Sequence, residues 1–349
     1  MGFNPSSASK VLVRSPNWLG DVVMSLPAMR VIREIFAHAE LTVVARPSVA
    51  ELYERETCID RVIRYTAHSL SEKRAFAAGL RNGRFDCAIL LQNAFDAALM
   101  ARLARIPERV GYSRDGRGWL LTRAIAVPEP GEIPRHERFY YLELLRRARM
   151  MEHFPDAPAI RLDRIPAARA AGTRHLADLG IAGPAIGISP GAAYGTAKRW
   201  LPERFAEAAV KLSGSVLVFG SASERDLCAL VAATTGGRNL AGETTLSEFI
   251  ELASVCRIFL TNDSGAMHVA SALGVPTVAV FGATDDTTTG PTGELARVVR
   301  AHAECSPCLL RECPIDHRCM TRVTSDAVAS AALQIWEECV PTWTHDRRS

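Results

Sequence analysis

Residues 262–268 place a carboxylate, two hydrogen-bonding side chains, a glycine and an imidazole within one short stretch, Asn-Asp-Ser-Gly-Ala-Met-His. An apolar run ends just before them at Thr261, and an apolar helical face, Gly274 and the apolar run 277–281 follow. This order predicts a strand, a loop, a helix and a second parallel strand. In such units ligands bind beyond the carboxyl end of the strand, where the N-terminus of the following helix favours phosphate. We therefore predict one binding site containing Asp263, Ser264, Gly265 and His268.

A simpler interpretation of the same stretch stays open. Asp263 or Ser264 could do no more than cap the helix, and His268 could be a surface histidine. A serine hydrolase is not supported, because no G-x-S-x-G motif surrounds Ser264 and a histidine four residues later defines no triad.

A second loop with phosphate-binding character follows the apolar strand predicted at 185–189. Small residues such as Gly191 let backbone N–H groups approach a ligand closely, and Thr196 and Lys198 add a hydroxyl and a cation. The loop is not a Walker A sequence. Helix and strand patterns alternate after it, with Ser223 predicted to cap a helix that contains Glu224.

The first half of the chain begins with the same kind of unit. A strand at 11–14, a loop ending at Asp21, a helix and a strand at 41–45 predict a βαβ unit. The loop lacks G-x-G-x-x-G, so a nicotinamide or flavin dinucleotide site is poorly supported. Residues 102–123 are predicted to be loop-rich and basic, and their arginines could grip phosphate in pairs of hydrogen bonds. The arginines singled out are Arg109, Arg114 and Arg117.

Length and composition predict two globular α/β domains, which we place at residues 1–170 and 171–349. The chain has 349 residues, 48% of them hydrophobic, and its longest apolar run is broken by Gly274 and Pro276, so we expect neither export nor a membrane span. The net charge of +3 argues against a nucleic-acid partner. Residues 1–170 carry 26 Lys and Arg against 19 Asp and Glu, which suggests an anionic partner or only an arginine-rich solvated surface.

The nine cysteines form two groups. Five stand in apolar or helical contexts and predict buried, reduced thiols of a cytosolic protein, namely Cys58, Cys87, Cys228, Cys256 and Cys339. The other four, Cys305, Cys308, Cys313 and Cys319, have spacings that could bind a metal, with His317 as a spare ligand. These spacings match neither a common zinc ribbon nor a ferredoxin, so redox-responsive thiols and, less so, a catalytic cysteine stay open.

Four stretches carry a resemblance to a known family. They are SPNWLGDVVMSLPAMRVIRE (15–34), ISPGAAYGTAKRW (188–200), FLTNDSGAMHVASALGVPTVAVFGATD (259–285) and CSPCLLRECPIDHRCM (305–320). Together, in this order, they resemble the ADP-heptose:lipopolysaccharide heptosyltransferases, most closely those of type II. The resemblance implies a GT-B fold, in which two Rossmann-like, doubly wound parallel-sheet domains face a cleft. It also implies inverting transfer of L-glycero-D-manno-heptose from ADP-heptose to an inner-core heptose of lipid A-core lipopolysaccharide.

The resemblance further implies roles for individual residues. Asp21 matches the general base, Lys198 the lysine on the donor phosphate, and Glu224 an acidic residue near the donor ribose. Asp263, Ser264, Gly265 and His268 match the motif around diphosphate and sugar, joined by Gly191 and Thr196. Acceptor binding is assigned to the first domain on charge and position alone, to Asn17, Arg109, Arg114 and Arg117. No cofactor is required, and we expect a cytoplasmic protein with peripheral contact to the inner membrane.

Two rival functions are distinguished by simple measurements. Another nucleotide-sugar GT-B enzyme would keep this architecture but prefer a UDP or GDP donor. A non-catalytic metal or redox protein built on Cys305–Cys319 would bind stoichiometric metal and leave a sugar donor intact.

Overall fold

A computed structural model describes residues 3–156 and 158–338, and the chain divides into two compact units, Met1–Asp163 and Arg164–Ser349. The sequence placed the boundary between residues 170 and 171, which falls inside the helix Ile165–Asp178 of the second unit. Pro166 belongs to the first turn of that helix, where the fixed backbone of proline is tolerated. Pro166 therefore opens a helix of the second unit, and the boundary lies earlier than the sequence suggested.

The first unit alternates strands and helices along the chain. Its strands are β1 (Lys10–Arg14), β2 (Glu40–Ala45), β3 (Arg61–Arg64), β4 (Cys87–Leu90), β5 (Glu108–Tyr112) and β6 (Arg123–Ile125). Its helices are α1 (Leu19–Ile35), α2 (Pro47–Glu54), α3 (Leu70–Asn82), α4 (Phe95–Leu103) and α5 (Arg138–Arg147). The strands form one parallel sheet in the order β3-β2-β1-β4-β5-β6.

The second unit repeats this plan. Its strands are β7 (Ala185–Ser189), β8 (Ser215–Val218), β9 (Arg238–Asn239), β10 (Cys256–Asn262), β11 (Thr277–Phe281) and β12 (Ala296–Arg300). Its helices are α6 (Ile165–Asp178), α7 (Pro202–Ala209), α8 (Arg225–Thr235), α9 (Leu246–Ser254), α10 (Gly265–Ala272), α11 (Asp286–Thr289), α12 (Arg318–Thr321) and α13 (Ser325–Glu338). The parallel sheet has the order β12-β11-β10-β7-β8-β9.

Each sheet has one position where the direction of winding reverses. In the first unit β1 pairs with both β2 and β4, and in the second β7 pairs with both β8 and β10. The loops leaving β1 and β4 diverge, as do those leaving β7 and β10, and such divergence opens a crevice at the strand ends. We call these crevices the first and second switch points.

The central strands are apolar because helices cover both faces of each sheet. Val11, Leu12 and Val13 of β1 are at most 1% exposed, and all five residues of β11 are buried. Segment 102–123, predicted to be loop-rich, instead contains β5 and the start of β6. No helix of the described ranges is long and apolar enough to cross a membrane.

Candidate functional site

At the second switch point two predicted residues meet in an ion pair. Lys198 Nζ donates to Asp263 Oδ2 over 2.6 Å, and Thr284 Oγ1 donates to the same oxygen over 2.5 Å. Asp263 is 4% exposed and Thr284 8%. The carboxylate is therefore held by a cation and a hydroxyl from two loops at the ends of the sheet. Thr284, three residues beyond the end of β11, was not assigned to the site from the sequence.

Asn262 ties the lysine loop to the end of β10. Its Nδ2 donates to the carbonyl of Pro190 over 2.7 Å, and its Oδ1 accepts the Trp200 backbone N–H over 2.9 Å. One buried amide thus fastens the loop on both sides of Lys198. Trp200 anchors the far side, because its indole is buried and donates to the carbonyl of Val323.

Ser264 and Asp263 have different tasks. Ser264 is the N-cap of α10, and its side chain accepts the Met267 N–H over 3.4 Å. The capping interpretation is therefore confirmed for Ser264, whereas the Asp263 side chain binds Lys198 and Thr284. His268 is 5% exposed, so it is not a surface histidine. The strand end, the Lys198–Asp263 pair and the start of α10, which includes Gly265, lie together at the second switch point.

Gly191 and Glu224 are in close contact. A Cβ at Gly191 would lie 2.0 Å from Glu224 Oε1, so a larger residue there would displace this carboxylate. Glu224 also accepts the Ser221 N–H over 2.9 Å in a capping box, and Arg199 lies 3.8 Å from its other oxygen. Thr196 is exposed and begins the 3-10 turn Thr196–Lys198. All donor-binding candidates thus belong to the second unit.

Asp21 lies in the first turn of α1, inside the helix rather than directly before it. The N-cap is Trp18, which makes no side-chain cap hydrogen bond. A carboxylate is favoured at this end of a helix by the dipole. Burial raises the pKa of Glu137, at the start of α5, and the nearby charge of Asp21 raises it further, while Arg114 opposes the shift. The structure therefore brings Asp21, Glu137 and Arg114 into one neighbourhood of the first unit.

Two of the predicted acceptor arginines are buried inside the first unit. Arg117 is 0% exposed and donates to the carbonyls of Tyr112, Gln92 and Ala94 and to Asn93 Oδ1. Arg109 is 9% exposed and donates to the carbonyls of Leu120, Ile106 and Pro107. The assignment of both as phosphate-binding residues is corrected, because backbone acceptors occupy their guanidinium groups.

Arg114 and Asn17 differ from the two buried arginines. Arg114 is exposed, and its side chain hydrogen-bonds to that of Tyr140. Asn17 Oδ1 accepts from the buried Arg14 over 3.3 Å. Both residues are on the surface of the first unit or half-buried in it, so they stay predicted acceptor residues.

The cysteine-rich segment, residues 304–319, lies beside the second switch point. Burial raises the pKa of the Cys319 thiol, and the neighbouring Cys305, Cys308 and Cys313 raise it further. The four sulfurs therefore share one neighbourhood, and each is a free thiol. Within the part of the chain that the structure describes, no three or more His, Cys, Asp or Glu residues are arranged to hold a metal.

Four of the other five cysteines are also free thiols. Cys58, Cys87, Cys228 and Cys256 are buried, as the sequence predicted, and burial raises the pKa of each. Cys339 lies outside the described residues.

Two doubly wound parallel sheets, with a lysine loop and a helix N-terminus at the second switch point, define a two-domain nucleotide-binding α/β protein. The sequence matches glycosyltransferase family 9 (heptosyltransferase) over residues 73–318. The chain belongs to this family and is a glycosyltransferase. The interpretation as a non-catalytic metal or redox protein is therefore wrong.

Individual relatives agree with this assignment. Lipopolysaccharide heptosyltransferase 2 of Salmonella typhimurium is 33% identical over 307 residues, which cover 83% of this chain and 88% of that protein. Lipooligosaccharide heptosyltransferase 2 of Campylobacter jejuni is 28% identical over 93% of this chain and 97% of its own length. The solved structure of E. coli ADP-heptose LPS heptosyltransferase II has a TM-score of 0.81 and 28% identity, covering 94% of this chain and 99% of that chain. The GT-B fold class is thereby confirmed.

Proposed function

We propose that this enzyme transfers L-glycero-D-manno-heptose from ADP-heptose to an inner-core heptose of lipid A-core lipopolysaccharide. The observation that carries the proposal is the Lys198–Asp263 pair beside the N-terminus of α10 at the second switch point. A cation and free helix N–H groups suit the diphosphate of a nucleotide sugar. The relatives named heptosyltransferase 2, and the solved enzyme named for ADP-heptose, support the choice of donor and acceptor.

The proposed reaction inverts the anomeric carbon of the donor. A hydroxyl oxygen of the acceptor heptose forms the new bond, and its proton passes to the Asp21 carboxylate. The bond from the anomeric carbon to ADP breaks, and its electron pair leaves with the diphosphate. Lys198 and the N-terminus of α10 stabilise that charge, so the step needs no bound metal.

The other residues take supporting roles in this proposal. Glu224 binds the donor ribose, and Gly191, Thr196, Ser264, Gly265 and His268 surround the diphosphate and the sugar. We assign acceptor binding to the first unit, with Asn17 and Arg114 as its predicted contacts. A cytoplasmic location with peripheral contact to the inner membrane stays a prediction. So does a structural metal at the four clustered cysteines, which metal quantification on protein purified without chelators tests.

Mass spectrometry of the products tests the proposal. The enzyme is incubated with ADP-heptose and a lipopolysaccharide acceptor truncated after its first heptose. We expect the acceptor to gain the mass of one heptose as ADP appears in equal amount. Transfer from a UDP- or GDP-sugar with none from ADP-heptose would reject the donor, and ADP-heptose hydrolysis without acceptor modification would reject the acceptor.

A further inference from the structure

The cysteine-rich segment is hydrogen-bonded to the lysine loop at three points. Tyr194 Oη donates to the Leu309 carbonyl over 2.9 Å, the Ala197 N–H donates to the Arg311 carbonyl over 2.9 Å, and His317 Nε2 lies 3.0 Å from the Ala197 carbonyl. The contact is so close that a Cβ at Gly195 would lie 2.1 Å from the Arg311 carbonyl oxygen. The segment therefore fixes where Arg311 stands relative to the loop that carries Lys198.

Two cations approach the ring of Tyr194. Lys198 Nζ lies 4.8 Å from the ring centroid, and the Arg311 guanidinium carbon lies 5.3 Å from it. A cation near an aromatic face is attracted by the π electrons, which lets two like charges stand in one neighbourhood. Tyr194 is itself half exposed, at 41%, so this arrangement lies at the surface of the second unit.

The charges of the lysine loop are already paired with carboxylates. Lys198 binds Asp263, and Arg199 lies 3.8 Å from Glu224. A diphosphate carries at least two negative charges, and two neutral pairs offer it no net positive charge. Arg311 is exposed, and across the described ranges it takes part in no ion pair. By contrast, Arg318 of the same segment pairs with Asp316 at 2.9 Å and with Glu304 at 3.4 Å.

We propose that Arg311 is a donor-binding residue, which contacts the diphosphate of the nucleotide sugar from the cysteine-rich segment, and that Tyr194 positions it. This proposal rests on the function proposed above. The planar guanidinium can bond two phosphate oxygens at once, and it supplies the positive charge that the neutral Lys198–Asp263 pair lacks. It also stabilises the charge on ADP as the bond to the sugar breaks.

Calorimetric titration of ADP into the full-length enzyme tests the role of Arg311. Arg311→Gln keeps the backbone carbonyl that accepts the Ala197 N–H, so this hydrogen bond between the cysteine-rich segment and the lysine loop is retained. We expect its ADP affinity to fall by about ten- to a hundredfold, the usual value of a charge-assisted hydrogen bond. The matched control Arg318→Gln removes another positive charge from the same segment and should bind ADP within twofold of wild type.

The outcomes separate this inference from the proposed function. If wild type and Arg318→Gln bind ADP and Arg311→Gln binds it equally well, the role of Arg311 is refuted while the donor site stands. If wild type binds UDP or GDP but not ADP, the proposed function fails, and this inference with it.

Substitutions of Tyr194 test the positioning role. Tyr194→Phe keeps the aromatic face and should leave the KM for ADP-heptose within about threefold of wild type. Tyr194→Leu removes that face and should raise KM about fivefold with kcat much less affected, because a cation over a ring contributes on the order of 1 kcal/mol. Equal KM values for the two variants would show that the ring does not position Arg311.

Discussion

The two switch points share one topology but use charge in opposite ways. At the first, Arg117 and Arg14 are at most 1% exposed and donate mainly to backbone carbonyls. At the second, Lys198 donates to the carboxylate of Asp263 near the surface. A backbone carbonyl that loses its donor inside the protein is left unsatisfied, whereas the Lys198 ammonium, whose side chain is 13% exposed, has further N–H donors for a phosphate oxygen. The strand order therefore creates two crevices. Whether a crevice can bind an anion depends on whether its Lys and Arg side chains are already bonded to buried backbone carbonyls.

Arg14 is a second buried arginine of the first unit whose contacts are all within the protein. Its Nη1 donates to the carbonyls of Ser15 and Val44 over 3.0 and 3.1 Å, and its guanidinium lies 5.0 Å from the ring centroid of Tyr65. Burial lowers its pKa to about 10, although Tyr65 and other neighbours partly oppose the shift. These contacts join β1, β2 and the residue after β3, so they fix the loop that leads to Asp21.

The largest effect is expected at Asp21, the one charge of the first switch point that we assign to chemistry. Asp21→Asn should lower kcat by about 10² to 10⁴, the usual contribution of a general base. ADP-heptose affinity should stay within about twofold, because the donor ligands lie in the second unit. Single-turnover kinetics at a series of ADP-heptose concentrations measures both quantities, and differential scanning calorimetry shows whether Tm changes. If the variant had a Tm several degrees lower but kept most of its turnover, the role of Asp21 would be purely structural.

Arg117→Met should cost stability rather than ligand affinity. It leaves the Gln92 carbonyl and the Asn93 side-chain oxygen without their donor and takes one of two donors from the carbonyls of Tyr112 and Ala94. Each buried unsatisfied group costs about 1–3 kcal/mol. We expect a loss of at least about 3 kcal/mol, or roughly 6–12 °C in Tm. The control Arg114→Met removes an exposed arginine of the same loop and should melt within about 2 °C of wild type. An Arg117→Met protein of unchanged Tm would contradict the structural role.

Lys198→Met should show the opposite pattern. It removes a charge-assisted contact to phosphate, so ADP affinity should fall about 10- to 150-fold. Some loss of Tm is also expected because Asp263 loses its cation, and affinity is therefore measured well below the melting temperature. Lys211→Met is the control, since Lys211 is an exposed lysine of the same unit that pairs with Asp326. If Lys198→Met bound ADP with an affinity within twofold of wild type, Lys198 would not be a donor-binding residue.

The smallest effect concerns Glu56, whose carboxylate accepts the backbone N–H of Asp163, the last residue of the first unit. Burial raises its pKa from 4.5 to about 7, although the bond from Asp163 opposes the shift. A raised carboxyl pKa means that stability is highest below about pH 4.5 and falls as the pH rises through about 7. Relative to Glu56→Gln, wild type should lose about 2 kcal/mol between pH 5.5 and pH 8.

Denaturant titrations at the two pH values measure this loss. The control Glu54→Gln changes an exposed carboxylate that pairs with Arg64, and it measures the effect of losing a carboxylate that is not buried. A constant difference between Glu56→Gln and wild type would show that the Glu56 carboxyl is charged throughout this range.

Much of the fold could be predicted from the sequence, because buried parallel strands are continuous apolar runs and helix starts carry capping residues. The strands β1, β7, β10 and β11 and the helix α10 follow this rule. Strand β5 was missed because a charged residue such as Arg109 usually indicates a solvent-exposed segment. Nothing in the local sequence shows that the Arg109 guanidinium donates to backbone carbonyls inside the protein. The sequence therefore could not separate a buried arginine from a phosphate ligand.

The site was predictable to a similar degree. Lys198 and Asp263 were assigned separately, and the structure joins them at 2.6 Å. Thr284, Tyr194 and Arg311 were missed because their contacts link segments far apart in the chain, and such contacts leave no local spacing to detect.

Hydrogen–deuterium exchange with and without ADP tests most directly the central claim that the donor binds at the second switch point. We expect ADP to slow exchange in peptides covering residues 188–200 and 259–272, since the loop and the start of α10 would donate to the diphosphate. Peptides covering residues 11–22 and 87–97, the matching strand ends of the first unit, should change little. Protection in those two peptides with none in 188–200 or 259–272 would contradict the account.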